Sequence, residues 1–150
     1  MNIFIQITEN KYIIVPFFVW LAVQIFKVIY DLIVFKKLNF RRLVGAGGMP
    51  SSHSAIVMTI TVMLGKQLGF DSSIFAVSLI FSLVVMYDAA GVRRAAGKQA
   101  KLLNKIVDTP GLTGIEVQEK LVEVLGHTPI QVFVGAFLGI IVGAIFGWKL

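Results

Sequence analysis

The sequence predicts an all-α fold, a polytopic membrane helical bundle of about four transmembrane helices with amphipathic helices in the loop between the third and the fourth. Three observations carry this expectation. Of the 150 residues 57% are apolar and 15% charged, against about 45–50% and about 25% in ordinary soluble domains, and the mean hydropathy is +0.85. The apolar residues gather into four runs, at about 12–35, 54–70, 72–88 and 129–148, instead of the stripes of soluble helices. Between them lie two polar loops, 36–53 and 89–127, that carry most of the positive charge. The whole chain, 1–150, therefore reads as a single integral membrane domain. The composition excludes disorder and fibrous repeats and argues against a soluble enzyme. With no Cys, disulfides, thiolate metal sites and zinc fingers are also excluded.

The first run, Tyr12 to Phe35, crosses a hydrocarbon core of about 30 Å at about 1.5 Å per residue. It is too long for a signal-peptide core, and no small-residue cleavage site follows it. Gln24, Lys27 and Asp31 recur at three and four residues and so share one face, with Lys27 and Asp31 spaced to pair. That face is expected to point into protein, because a lone intramembrane charge is costly. The following loop opens with Lys36, Lys37, Arg41 and Arg42 and continues through Gly45, Gly47 and Gly48. The second and third runs, joined by Asp71-Ser72-Ser73, read as a helical hairpin with Asp71 as N-cap. Both are short for a full crossing unless their flanking polar turns join the helices.

The loop 89–127 is helical in pattern, with Ala95, Ala96, Ala100, Leu103 and Val107 at helical intervals among five basic residues. Thr109-Pro110-Gly111 breaks it, and Thr113 with Glu116 reads as the capping box of a second amphipathic helix to about Leu125. The last run begins with Thr128 as N-cap, Pro129 at the first helical position and Gln131 completing a box. Gly135, Gly139, Gly143 and Gly147 then recur every four residues, a ladder that lets two helix backbones approach closely and is predicted as a face for a homo-oligomer.

Lysine and arginine number fourteen against eight acidic residues. Ten of the fourteen lie in the two loops: Lys36, Lys37, Arg41, Arg42, Arg93, Arg94, Lys98, Lys101, Lys105 and Lys120. Four crossings place both loops on one side, which the positive-inside rule makes cytoplasmic. In a membrane chain the excess points to anionic headgroups or a phosphate-bearing substrate, not to nucleic acid.

Both histidines sit where a loop meets an apolar helix, His53 within Pro50-Ser51-Ser52-His53 and His127 within Gly126-His127-Thr128. Arg93 and Arg94 follow the third run on the same side. Two imidazoles, two guanidiniums and a Ser-Ser turn at a helix start make a phosphate site, since Arg forks onto phosphate oxygens and helix-start amides donate to them. One imidazole then attacks phosphorus while the other protonates the leaving oxygen. Taken singly, each of these residues is also an ordinary cap or topology anchor, and only their joint placement argues for chemistry. No Walker-type loop is present, and Asp88, Asp108 and the histidines lack metal-ligand spacing.

These motifs resemble a family. Pro50-Ser51-Ser52-His53 is similar to the Pro-Ser-Gly-His motif of the type 2 phosphatidic acid phosphatases, relatives of the vanadium haloperoxidases. The stretch from His127 through Gly139 is similar to their third motif. Closer still is the resemblance to a small divergent bacterial and plant branch, carried by Gly48 to Ala55, Tyr87-Asp88-Ala89-Ala90-Gly91-Val92-Arg93-Arg94 and Leu125 to Pro129. The resemblance implies a bacterial plasma-membrane phosphatase that hydrolyses a lipid-borne phosphate or diphosphate through a phosphohistidine, with no metal or other cofactor. It makes His127 the nucleophile and His53 the general acid, and gives the phosphoryl oxygens to Ser51, Ser52 and Arg93 or Arg94, with Lys37, Arg41 and Arg42 as candidates for the first motif's cations. Gln131 stands where the larger family has an Asp that orients the nucleophile, so it reads either as that orienting group or as a helix cap alone. Asp88 is the candidate for a displaced carboxylate partner of His127. The alternatives are a non-catalytic membrane protein that binds anionic lipid or a partner, and a small phospholipid transporter with Lys27 and Asp31 lining its path.

Overall fold

The computed structural model describes residues 2–36, 48–109, 120–121 and 126–148. Among these the chain is helical with no strands. Its helices are α1 (Ile3–Thr8), α2 (Lys11–Phe35), α3 (Ser52–Leu68), α4 (Ser73–Ala90), α5 (Val92–Val107) and α6 (Pro129–Phe146). Arg42, Lys37 and Arg41, and the expected helix from Thr113 to about Leu125, lie wholly or almost wholly outside the described residues.

Polar side chains start the long helices. Asn10 accepts the Tyr12 N–H, and Ser51 accepts the Ser54 N–H. At α6 the expected capping box is present, with Thr128 and Gln131 exchanging hydrogen bonds and Pro129 in the first turn. The start of α4 differs from expectation. Ser72, not Asp71, is the N-cap, because its hydroxyl accepts the Phe75 N–H (3.2 Å) while donating to the Gly69 carbonyl (2.7 Å). An ionised carboxylate can only accept, so Asp71 could not do both.

Helices α2, α3, α4 and α6 run alternately up and down. At one end Lys27 of α2 reaches Ser52 at the start of α3, and the start of α6 bonds to Ser51. At the other end Lys11 reaches Gln67, and Lys66 donates to the Ala144 carbonyl (2.7 Å). Three helical stretches are long and apolar enough to cross a membrane: Lys11–Val34, Ser73–Val107 and Pro129–Phe146. They present large apolar side chains outward, such as Phe18, Phe81 and Phe133, a cost in water but the favoured contact in lipid. The protein is an integral membrane helical bundle.

Helix α3 is shorter and is the inner member, packed against α2, α4 and α6. Its buried residues are mostly small or hydroxylic: Ser52, Ser54, Ala55, Thr59, Thr61 and Gly65, with Met63. Thr61 Oγ1 lies 2.7 Å from Ser82 Oγ and 2.8 Å from Ser78 Oγ, a hydroxyl cluster joining α3 to α4. On the opposite side the glycine ladder of α6 meets α3. A side chain at Gly135 would strike the Ser51 carbonyl, at Gly139 the Ala55 carbonyl, and at Gly143 the Thr59 carbonyl (2.7 Å). The face expected for a homo-oligomer is thus occupied inside the chain, because the small residues of α3 provide the complementary surface that close helix packing requires.

In α5 the buried positions are Gly97, Ala100 and Asn104; of the predicted positions Ala100 is buried, while Ala95 and Leu103 are exposed. The Asn104 amide ties α5 to Leu121, donating to its carbonyl (2.8 Å) and accepting its N–H (3.0 Å).

Candidate active site

The end of the bundle that holds the starts of α3 and α6 also holds the two histidines. Two backbone hydrogen bonds fix their loops. Ser51 N–H donates to the Gln131 carbonyl (3.0 Å), and His127 N–H donates to the Ala89 carbonyl (2.8 Å), one of the four carbonyls that the end of α4 leaves unpaired. Gly126 makes the second bond possible. Its φ of +83 is open to glycine at little cost, and a Cβ there would run into the backbone of Arg93 and Arg94. Gly126→Ala is therefore expected to cost about 1–3 kcal/mol in stability and to move His127 from its place. Thermal unfolding in detergent checks the first effect and the chemical shifts of the His127 ring the second.

The imidazoles of His53 and His127 stand edge to face with centroids 6.0 Å apart. That separation is in the range of aromatic rings in direct edge-to-face contact. His127 is 2% exposed. Among the described residues neither of its ring nitrogens has a hydrogen-bond partner, nor has Nδ1 of His53. Three imidazole nitrogens without a partner among the described residues are unusual in a folded protein and make these two side chains the candidates for chemistry.

Burial is the main reason His127 is held unprotonated, its pKa falling to about 4, with the Lys27 charge and His53 acting in the same direction. The Gln131 side chain and the Gly48 backbone lie near enough to oppose this weakly, though outside hydrogen-bond geometry. His53 is also held below the ordinary imidazole value, first by burial and then by Arg93 and Lys27, with Asp88 opposing. The sign for stability follows. Between the ordinary 6.5 and about 4 the unfolded chain takes up a proton at His127 and the folded chain does not, so stability falls as the pH falls through that window, by up to about 3 kcal/mol. The unfolding midpoint of wild type is expected to drop more between neutral pH and pH about 5 than that of His127→Asn.

Ser51 and Ser52 directly precede His53 in the chain and are buried. The Ser51 amide donates to the Gln131 carbonyl and its hydroxyl accepts from Ser54 at the cap of α3, so Ser51 anchors the turn, while the amides of Ser52 and His53 begin the helix with no intrahelical partner. Gln131 is both a cap and a neighbour of His127, its Oε1 accepting the Thr128 N–H (2.9 Å). Asp88 is not the partner of His127. Arg93 Nε holds it at 2.7 Å, and its charge acts on His53 instead. Arg93 and Arg94 are both exposed, and only the charge of Arg93 is felt at a histidine. Among the described residues no cluster of His, Asp and Glu could hold a metal.

Lys27 is the residue whose place sequence reasoning missed. It is 3% exposed, its Nζ lies 2.9 Å from Gln24 Oε1 and 3.5 Å from Ser52 Oγ, and it acts on both histidines. Its spacing with Gln24 and Asp31 indicated an inward face but not what that face would meet. Beyond Lys27 a cavity of about 1110 Å³ runs between α2 and α6, apolar along most of its length and polar at the end formed by Lys27, Asp31, Gly48 and Gln131.

The family model described as "Divergent PAP2 family" matches residues 8–142, which include every described residue of the site. A membrane protein of Bacillus subtilis (strain 168), YuiD, itself described as uncharacterized, is 43% identical over 136 residues, covering 83% of this chain and 86% of its own. No solved structure matches the chain.

Proposed function

Because the chain belongs to the divergent PAP2 family, we propose that it is a membrane phosphatase acting on a lipid-borne phosphate or diphosphate, with His127 as nucleophile and His53 as general acid. The observation that carries this reading is the pair of imidazoles 6.0 Å apart, His127 buried and His53 half-buried, with three ring nitrogens that have no partner among the described residues. A nucleophile must offer a lone pair, and a histidine held neutral down to about pH 4 offers one at any physiological pH.

In the first step a ring nitrogen of His127 bonds to phosphorus, the phosphorus–oxygen bond to the lipid breaks, and the leaving oxygen takes a proton from His53. In the second, water attacks the phosphohistidine, His53 accepts the water's proton, the phosphorus–nitrogen bond breaks and orthophosphate departs. His53 needs its proton at the start, and the arriving phosphate, as an adjacent anion, raises its affinity for one. The amides of Ser52 and His53 with the dipole of α3 receive the phosphoryl oxygens, and Lys27 provides the buried cation. Arg93 stands at the outer rim, and the excess of basic residues in both loops supports a cytoplasmic site.

Purified protein in detergent is expected to release phosphate from at least one of phosphatidate, phosphatidylglycerophosphate and polyprenyl diphosphate, and to carry an acid-labile phosphoryl group during turnover. Folded protein that releases none and traps none would refute the reading.

A further inference from the structure

The cavity between α2 and α6 is larger than a phosphate needs. Its volume of about 1110 Å³ exceeds the roughly 300–1,000 Å³ of sites for small ligands. Val15, Val19 and Val23 line it from α2, and Val134, Leu138 and Val142 from α6. From Lys27 to Val15, and from Gln131 to Val142, the apolar part extends about 16–18 Å, just over half of a hydrocarbon core of about 30 Å. Both walls belong to helices apolar enough to span a membrane, so the open side of the cavity faces lipid and not water. Its polar residues are confined to one end, where Lys27 also touches Ser52 and acts on His127.

A channel with one charged end, one leaflet in depth and open to the bilayer matches an amphiphile in length, polarity and orientation. We infer that this groove holds the hydrocarbon tail of the phosphorylated lipid, which enters sideways between α2 and α6 and brings its phosphate to Lys27 and the histidines. The inference rests on the phosphatase reading for the head end of the ligand, and it adds where the tail lies and why a membrane-bound substrate is preferred to a soluble one.

The test uses the full chain in detergent micelles and palmitoyl phosphatidate bearing a photoreactive diazirine at the tail end. Cross-links are expected on α2 and α6 around Val15 and Val142. Ala22 lines the groove and is exposed, so Ala22→Trp fills it without burying a misfit. That variant is expected to lose most of the labelling and to hydrolyse dipalmitoyl phosphatidate roughly tenfold less well, while dihexanoyl phosphatidate, whose tails stop short of the block, is cleaved as before. Labelling in the groove with no phosphate released from either lipid would uphold the tail site and reject the phosphatase reading. Labels spread over α4, or labelling unchanged in Ala22→Trp, would overturn the tail site whatever the activity.

Discussion

Replacing His127 by alanine is expected to remove phosphate release altogether, by a factor on the order of 10⁴–10⁶, and to abolish the acid-labile phosphoenzyme. No second group in the cleft can take over, because His53 is the only other described imidazole and the Ser51 hydroxyl is committed to its helix cap. His53→Ala should behave differently. It removes the acid and not the nucleophile, a loss of roughly 10²–10⁴, and the loss should shrink for an aryl phosphate such as p-nitrophenyl phosphate, whose leaving group departs without a proton. Phosphate release by both variants on both substrates separates the roles. Equal losses of His53→Ala on both substrates would remove it from the acid step, and phosphate release retained by His127→Ala would end the covalent mechanism.

Lys27→Met is the second large effect. A buried donor to a transferring phosphoryl group is worth about 10²–10³ in rate, and kcat/KM is expected to fall by that much. A role confined to packing would not move the pH profile, but the charge of Lys27 should. Lys27 favours neutral His127, so its removal raises the affinity of His127 for a proton, and the acid limb of the rate profile moves to higher pH. Lys27→Arg keeps the charge and is expected to keep the limb in place. If Lys27→Met retains wild-type kcat/KM, Lys27 does not hold the phosphate and the exposed Arg93 is the next cation to test.

Much of this site was legible in the chain. The motif around Pro50–His53 and the segment from Gly126 to Gln131 announce themselves through local chemistry, since a hydroxyl before a helix start and a proline in its first turn act within a few residues. The capping box at Thr128 and the inward face of Gln24, Lys27 and Asp31 follow from the helical period alone. Other features escaped for a physical reason. Ser72 displaced Asp71 as a cap because the tight turn at Gly69 asked for a group that donates as well as accepts. Asp88 was taken by Arg93, five residues away and across a helix junction, before it could serve His127.

The sequence by itself determined that this is a membrane bundle, where its helices begin, and which residue types could handle phosphate, because apolar run length, caps and motif chemistry are local properties. Only the tertiary structure decided how the pieces meet. It used the glycine ladder of α6 against the hydroxyl-rich α3, brought two histidines 74 positions apart in the chain into edge-to-face contact, and moved Lys27 from an anonymous helix face to the wall of the cleft. Such meetings depend on which complementary surfaces pack most closely, and that is a property of pairs of helices that neither helix carries alone.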